Sequence, residues 1–219
     1  MEERIFLRDD DILAVFKEQN ETMAQLTAKV NEFLGKEAKP IYNLEALAGG
    51  VVVYALNEGA YKTLRESYKA NEFEFKFYAV TIGQAKQDKG SFSAYYTRDK
   101  KSNKLIHIPQ LNAGAESFGV NYEVVQKVQQ IQIVRVDTNV STPETVRFAM
   151  ADLNMPIFGD KLYGGDSLAK NTNTALYLVD ARIKHPTKQE YLNFRAMVPD
   201  SKPWNYFNLA DIFQIKLGG

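Results

Sequence analysis

The chain has no cysteine and only two histidines among its 219 residues. The first absence excludes a disulfide framework, cysteine-ligated zinc, iron–sulfur clusters and any thiol nucleophile. With only His107 and His185 to offer imidazole, a multi-histidine metal site is excluded as well. Net charge is lacking too, because 27 Lys and Arg balance 27 Asp and Glu. No overall basic excess marks a nucleic-acid binder, although a local basic patch is still allowed, since the field at a site depends on how charge is distributed. Long hydrophobic runs are missing. The purest one, Val51–Leu56, is far short of the ~20 residues a membrane-spanning helix needs. The start, MEERIFLRDDD, is acidic and charged, the reverse of a signal peptide's layout, so a cytoplasmic protein without membrane contact is expected. What remains is an ordinary globular composition, 45% apolar and 25% charged, of a length that fits one domain or two small ones.

Local patterns give a mixed set of elements. Arg4–Leu7 and Ile12–Phe16 read as strands around the acidic turn Asp9-Asp10-Asp11. Thr22 to Leu34 reads as a helix. Thr22 and Gln25 have capping-box spacing, Met23, Leu26, Val30, Phe33 and Leu34 make one apolar stripe, and Gly35 fits just past the end. Val51–Leu56 predicts a buried strand, a short helix with Tyr61, Leu64 and Tyr68 on one face follows it, and Glu74–Ile82 alternates as a half-buried strand. The stretch from Gln84 to Lys104 breaks the pattern. It carries Lys86, Lys89, Arg98, Lys100, Lys101 and Lys104 with Phe92, Tyr95 and Tyr96, a composition that suits either a phosphate-tracking, base-stacking surface or a solvated loop. Strand signals return at Gly119–Lys127 and Ile131–Asp137. A second helix is expected from Ser141-Thr142-Pro143-Glu144 onward, with Val146, Ala149, Met150 and Leu153 facing the core. A hairpin is expected about His185–Gln189. Strands with a few helices interspersed predict a single α+β domain.

Met155–Gly165, MPIFGDKLYGG, closely resembles the segment P-I-x-G-D-x-x-Y-G that follows the last catalytic motif of the RluA-type pseudouridine synthases. Other stretches resemble that family in the same order. DDDILAVFK (Asp9–Lys17) is similar to its opening strand, EFKFYAVTIG (Glu74–Gly83) to its strand K-x-Y-x-A-x-V-x-G, GVNYEVV (Gly119–Val125) to a later strand, and HPTKQEYLNF (His185–Phe194) to its hairpin H-P-x-T-x-E-x-L-x-F. The catalytic motifs match poorly. Against H-R-L-D-x-x-T-S-G the chain sets Tyr42 through Gly50, keeping only Leu44 and Gly50, with Glu45 at the aspartate position and Tyr42 and Asn43 where histidine and arginine stand. Against G-R-T-H-Q-I-R it sets Ser141 through Arg147 and keeps only Arg147.

The resemblance implies a mixed, mainly antiparallel sheet with a few flanking helices and a central cleft. It implies one pseudouridine-synthase-like domain over residues 1–219 without an S4-type RNA-binding domain. Glu45, Tyr78 and Arg147 would be the catalytic set around that cleft. Lys86, Lys89, Tyr95, Tyr96, Arg98, Lys100, Lys101 and Lys104 would contact structured RNA, ribosomal or transfer. No metal and no organic cofactor is implied. Glu45 carries its carboxylate one methylene further out than aspartate, and Tyr42, Asn43, Ala48 and Gly49 replace the residues that would orient it, so a degenerate synthase that keeps the fold and RNA binding is one reading. An active synthase using Glu45 is the second, and an interaction module that binds no RNA is the third. Asp160 is expected to bond nearby backbone, Gly159 and Gly164 to make turns, and His107 and His185 to be ordinary structural residues. The partner expected for Arg147 is Glu45.

Overall fold

The computed structural model describes residues 1–110, 115–165 and 172–213. In chain order the elements are β1 (Ile5–Arg8), β2 (Ile12–Lys17), α1 (Met23–Leu34), β3 (Lys39–Pro40), β4 (Gly49–Ala55), α2 (Glu58–Lys69), β5 (Glu74–Ile82), β6 (Lys89–Arg98), β7 (Leu105–Ile108), β8 (Glu116–Val128), β9 (Ile131–Thr138), α3 (Pro143–Asp152), β10 (Leu176–Lys184), β11 (Tyr191–Arg195) and α4 (Leu209–Phe213). The strands make a large, mainly antiparallel sheet and the helices are few, which is the fold class expected. The chain divides into two compact units. The first holds Met1–Phe77, Thr138–Pro143 and Tyr177–Met197, and the second holds the rest.

In the first unit the strands run in the order β1, β2, β4, β10, β11, with β3 beside β4. All seven residues of β4, GGVVVYA, are buried, so this strand is covered on both faces and reads as an unbroken apolar run. Its contact with β10 is parallel, Gly49 opposite Tyr177 and Gly50 opposite Leu178. Helix α1 starts and stops as its sequence directs. Thr22 Oγ1 accepts from Gln25 N, the Gln25 side chain accepts from Thr22 N, and Gly35 closes the helix at φ 65°.

The hairpin β10–β11 is tied to the turn between β1 and β2 through a buried histidine. Asp9 Oδ1 accepts from the amides of Asp11 and Ile12, both at 2.9 Å, and Oδ2 meets His185 Nε2 at 2.8 Å and Lys188 Nζ at 3.1 Å. His185 Nδ1 accepts from the amides of Thr187 and Lys188, so hydrogen bonding assigns its proton to Nε2, where it is donated to Asp9. This is a structural pair, with no free nitrogen left to act as a base. Partial burial works against the Asp9 charge, but His185, the two amides and Lys188 together outweigh it and hold the carboxyl well below the usual range. A depressed carboxyl supplies stability above its unfolded pKa, near 4, and that stability is lost as pH falls toward the folded value. Asp9→Asn is therefore expected to cost about 1.5–3 kcal/mol at pH 7, with the gap to the parent chain narrowing below about pH 4. Urea unfolding at the two pH values checks it, and an unchanging gap would remove Asp9 from the acid response.

The second unit contains the antiparallel array β9, β8, β6, β7 in that order. Here the structure corrects the sequence reading, because the middle of the pattern break from Gln84 to Lys104, Lys89–Arg98, is strand β6. Its inward side chains Ala94 and Tyr96 join Phe118, Val120 and Tyr122 of β8 in the core. Phe148 of α3 packs on Phe92, Tyr96 and Phe118 at ring separations of 5.9–6.2 Å. The outward residues between Lys89 and Thr97 are two serines and one tyrosine, which is why the alternation carried little apolar contrast. Helix α3 buries Val146, Ala149 and Met150 as its stripe predicts, while Leu153, also expected in the stripe, lies one residue past the helix and is half-buried.

Candidate functional site

Glu45 lies half-buried on the segment between β3 and β4, and that segment is held by its backbone carbonyls. Arg65 donates to Ile41 O at 2.5 Å, Asn20 N to Ala46 O at 2.6 Å, Gln19 Nε2 to Leu47 O at 2.5 Å and Lys17 Nζ to Ala48 O at 2.7 Å. Leu44 is fully buried, and Tyr42 is sunk in a cluster with Tyr68, Phe73 and Phe75, its hydroxyl donating to Val51 O at 3.1 Å. Burial pushes the Tyr42 hydroxyl far above its normal range, so it stays neutral. Asn43 is exposed. The sequence argument that Glu45 has lost its orienting groups is corrected in one respect: the side chains of the family motif are absent, but other residues fix the path of the backbone.

Lys17 is a buried charged residue that the sequence reading passed over. It is fully buried at the end of β2, where its amine also donates to Glu18 O at 3.0 Å. Desolvation pulls its pKa down to about 8 against the opposing charges of Glu21 and Glu45. The available signal was a lysine closing a strand, ILAVFK, that is otherwise wholly apolar.

Arg147 and Tyr78 belong to the second unit. Arg147, on α3, is 6% exposed and makes a two-pronged ion pair with the fully buried Asp160, Nε to Oδ2 at 2.7 Å and Nη2 to Oδ1 at 2.8 Å. Asp160 Oδ1 also accepts from the amides of Leu162 and Tyr163, which meets the expectation of backbone bonding and adds to it a partner for the arginine. The loop is closed tightly enough to aim that carboxylate. Gly159 sits at φ 80°, a Cβ on it would come within 2.3 Å of Asn173 O, and its amide donates to Gly165 O at 2.8 Å. Tyr163 stacks over the Arg147 guanidinium at 5.2 Å and donates its hydroxyl to Glu144 at 3.1 Å. Glu144 is clasped by both terminal nitrogens of Arg98, at 3.0 and 2.6 Å. Burial opposes the Glu144 charge, but Arg98, Tyr163 and the nearby Arg147 prevail and keep its carboxyl low. Burial pushes the Tyr163 hydroxyl up to about 12. The segment that carries the family resemblance is thus the holder of Arg147. Tyr78, on β5, is buried with its ring 4.9 Å from that of Phe213.

The eight residues expected to contact RNA do not form one patch. Lys86 and Lys89 lie at one end of β6, and Arg98, Lys100, Lys101 and Lys104 at or beyond the other, about 30 Å away at the rise of an extended strand. Lys89 is paired with Glu123 and Arg98 with Glu144, while Lys104 lies over the Tyr163 ring. Tyr96 faces the core, 9% exposed, and donates to Glu116 at 2.7 Å, leaving Tyr95 as the outward ring of the two. Lys86, Lys100 and Lys101 are exposed. Among the described residues no three His, Asp or Glu side chains gather closely enough to hold a metal ion, and no helix is long and apolar enough to cross a membrane.

The chain thus combines a mainly antiparallel sheet with a G-D-x-x-Y-G loop whose carboxylate holds a buried arginine. The solved structures of human RNA pseudouridylate synthase domain containing 1 and domain containing 4 both superpose with a TM-score of 0.77, at 17% and 14% identity, over 90% and 100% of this chain and 83% and 95% of theirs. No family model matches the chain. Curated proteins do. They include an uncharacterised RNA pseudouridine synthase of Bacillus subtilis, YlyB, at 22% identity over 73% of this chain and 52% of its own length, and one of Aquifex aeolicus at 25% over 74% and 53%. The dual-specificity RNA pseudouridine synthase RluA of Pasteurella multocida matches at 23% over 72% of both chains. The chain is similar, at low identity, to RNA pseudouridine synthases that include RluA, and spans about half the length of the first two of these relatives.

Proposed function

We propose that the chain binds structured RNA, ribosomal or transfer, on the synthase fold and isomerises uridine weakly or not at all. The observation that carries this reading is at one motif. The carboxylate of the catalytic position is present as Glu45, while the side chain three residues before it, Tyr42, is committed to the aromatic core.

In the reaction the resemblance implies, the target base leaves its stack, detaches from C1′ of the ribose, turns and rejoins through C5. Unstacking alone takes a few kcal/mol and needs a closed pocket. An ionised carboxylate acts at the sugar or base, an arginine holds it, and a tyrosine lines the pocket. In this chain those roles would fall to Glu45, Arg147 and Tyr78. One methylene moves the carboxylate by roughly 1 Å, and a misplacement of that size can lower a rate about 10²-fold. A second reading, an active synthase using Glu45, is favoured by the four anchored carbonyls around it, since a rigid segment is what places a catalytic group within tolerance.

The test is incubation with total RNA from a strain lacking this protein, followed by pseudouridine mapping and salt-dependent RNA binding. We expect RNA binding that weakens with salt, no new pseudouridine from the wild type, and none from Glu45→Asp, because Tyr42 and Asn43 remain. Robust turnover by the wild type would overturn this and establish the second reading. Absence of RNA binding would leave an interaction module of another kind.

A further inference from the structure

The outer face of β6 and β8 carries features that the fold does not require. Across the ladder Ser91 faces Asn121, Ser93 faces Gly119 and Tyr95 faces Ser117, and all six are exposed. A groove runs there, lined by Ser93, Tyr95, His107, Ser117 and Gly119. Sterics give Gly119 no reason to be glycine. An added Cβ would meet nothing nearer than Phe92 O at 3.7 Å and the Ser93 Cβ at 4.0 Å, which are ordinary contact distances. A glycine inside a strand weakens it, and often marks a place where something approaches the backbone closely. Beside this bare stretch stands Tyr95, 41% exposed.

The charge nearby is positive and uncommitted. Lys100 and Lys101 sit in the turn from β6 to β7, whose shape is set by Asp99 accepting from the amide and hydroxyl of Ser102 at 2.7 and 2.6 Å. Both lysines are exposed, and among the described residues neither has an ion-pair partner. Five and six residues past Tyr95, they lie within about 20 Å of it.

We propose that this outer face is a stacking platform for an unpaired RNA base, seated over Gly119 against Tyr95, with Lys100 and Lys101 on the adjoining phosphates. The proposal rests on the RNA-binding reading above and gives that reading a strand-level subsite. An aromatic face stacks any base, and the missing side chain at Gly119 lets a flat group lie close to the sheet. Serines rather than apolar side chains around the ring fit a base and its sugar better than an apolar protein partner. The two unpaired lysines complement phosphate.

The experiment is fluorescence anisotropy with a labelled ten-nucleotide oligouridylate, with a folded transfer RNA run in parallel. Tyr95→Ala is expected to weaken oligonucleotide binding roughly ten-fold or more, and Tyr95→Phe to leave it near wild type. Gly119→Val, which fits the strand and fills the groove, should weaken it as well. Thermal melting of each variant confirms that it is folded. If the wild type binds RNA and both Tyr95→Ala and Gly119→Val bind the oligonucleotide equally well, the platform is refuted while the RNA reading stands. If the wild type binds neither RNA, the RNA reading itself fails. A concentration-dependent dimer lost in Gly119→Val would assign the face to a second copy of the chain and overturn the proposal.

Discussion

Arg147→Met and Asp160→Asn are each expected to destabilise the protein by about 3–5 kcal/mol, the range for removing one partner of a buried ion pair. The magnitude follows from burial and geometry. Arg147 is 6% exposed, Asp160 is wholly buried, and two parallel hydrogen bonds of 2.7 and 2.8 Å join them. Each single change takes a two-pronged partner from a charge that water barely reaches. The double variant should lose clearly less than the sum of the two, because both halves of the contact go together. Arg147→Lys should fall between, since an ammonium cannot reproduce the two-pronged contact. Chemical denaturation of the four chains reads the cycle. Small, additive losses would mean that Asp160 is not what compensates Arg147.

Gly50→Ala is expected to cost about 4 kcal/mol or more, or to prevent folding, which places it among the rare severe single substitutions. The residue has φ 135°, and a Cβ on it would stand 2.1 Å from Leu178 O in the parallel neighbour β10. Neither backbone can move without breaking the pairing of two strands that are buried along most of their length. Gly35→Ala is the control. Gly35 also has positive φ, 65°, but nothing lies within 4 Å of its would-be Cβ, so only the backbone penalty of about 1–2 kcal/mol applies. Comparable losses at the two positions would show that contact with Leu178 is not the cause. Gly50 is one of the two residues at which Tyr42–Gly50 agrees with the motif it resembles, and this contact gives it a packing role. The other, Leu44, is fully buried.

How much of this was legible in the sequence depended on the range of the interactions. Helix α1 declared both ends, because Thr22, Gln25 and Gly35 act within a few residues. Strand β5 was read to its observed bounds, Glu74–Ile82, from charged and aromatic alternation. Strand β6 was missed because Ser91, Ser93 and Tyr95 give the middle of its outer side no contrasting charge, while Lys100 and Lys101 beyond it drew attention to composition. The site was harder. Arg147 and Asp160 are 13 residues apart, and Lys17 and Ala48 are 31 apart. No local spacing links a buried lysine to the carbonyl it will meet. Asp160 was placed by motif, but its second partner depends on which way α3 faces.

The anchoring of the Glu45 segment through carbonyls has a consequence for inheritance. Every amino acid brings the same carbonyl, so a substitution at the half-buried Ala46 or Leu47 leaves Asn20 and Gln19 with the acceptors they already hold. The segment's course is written in residues 17–20 and 65, and the side chains it displays are written separately. Such a design lets a lineage exchange the displayed groups one at a time, or lose them, while the chain path stays as it was. It also makes the segment a practical mounting for other side chains, because replacing the cargo does not dismantle the mount.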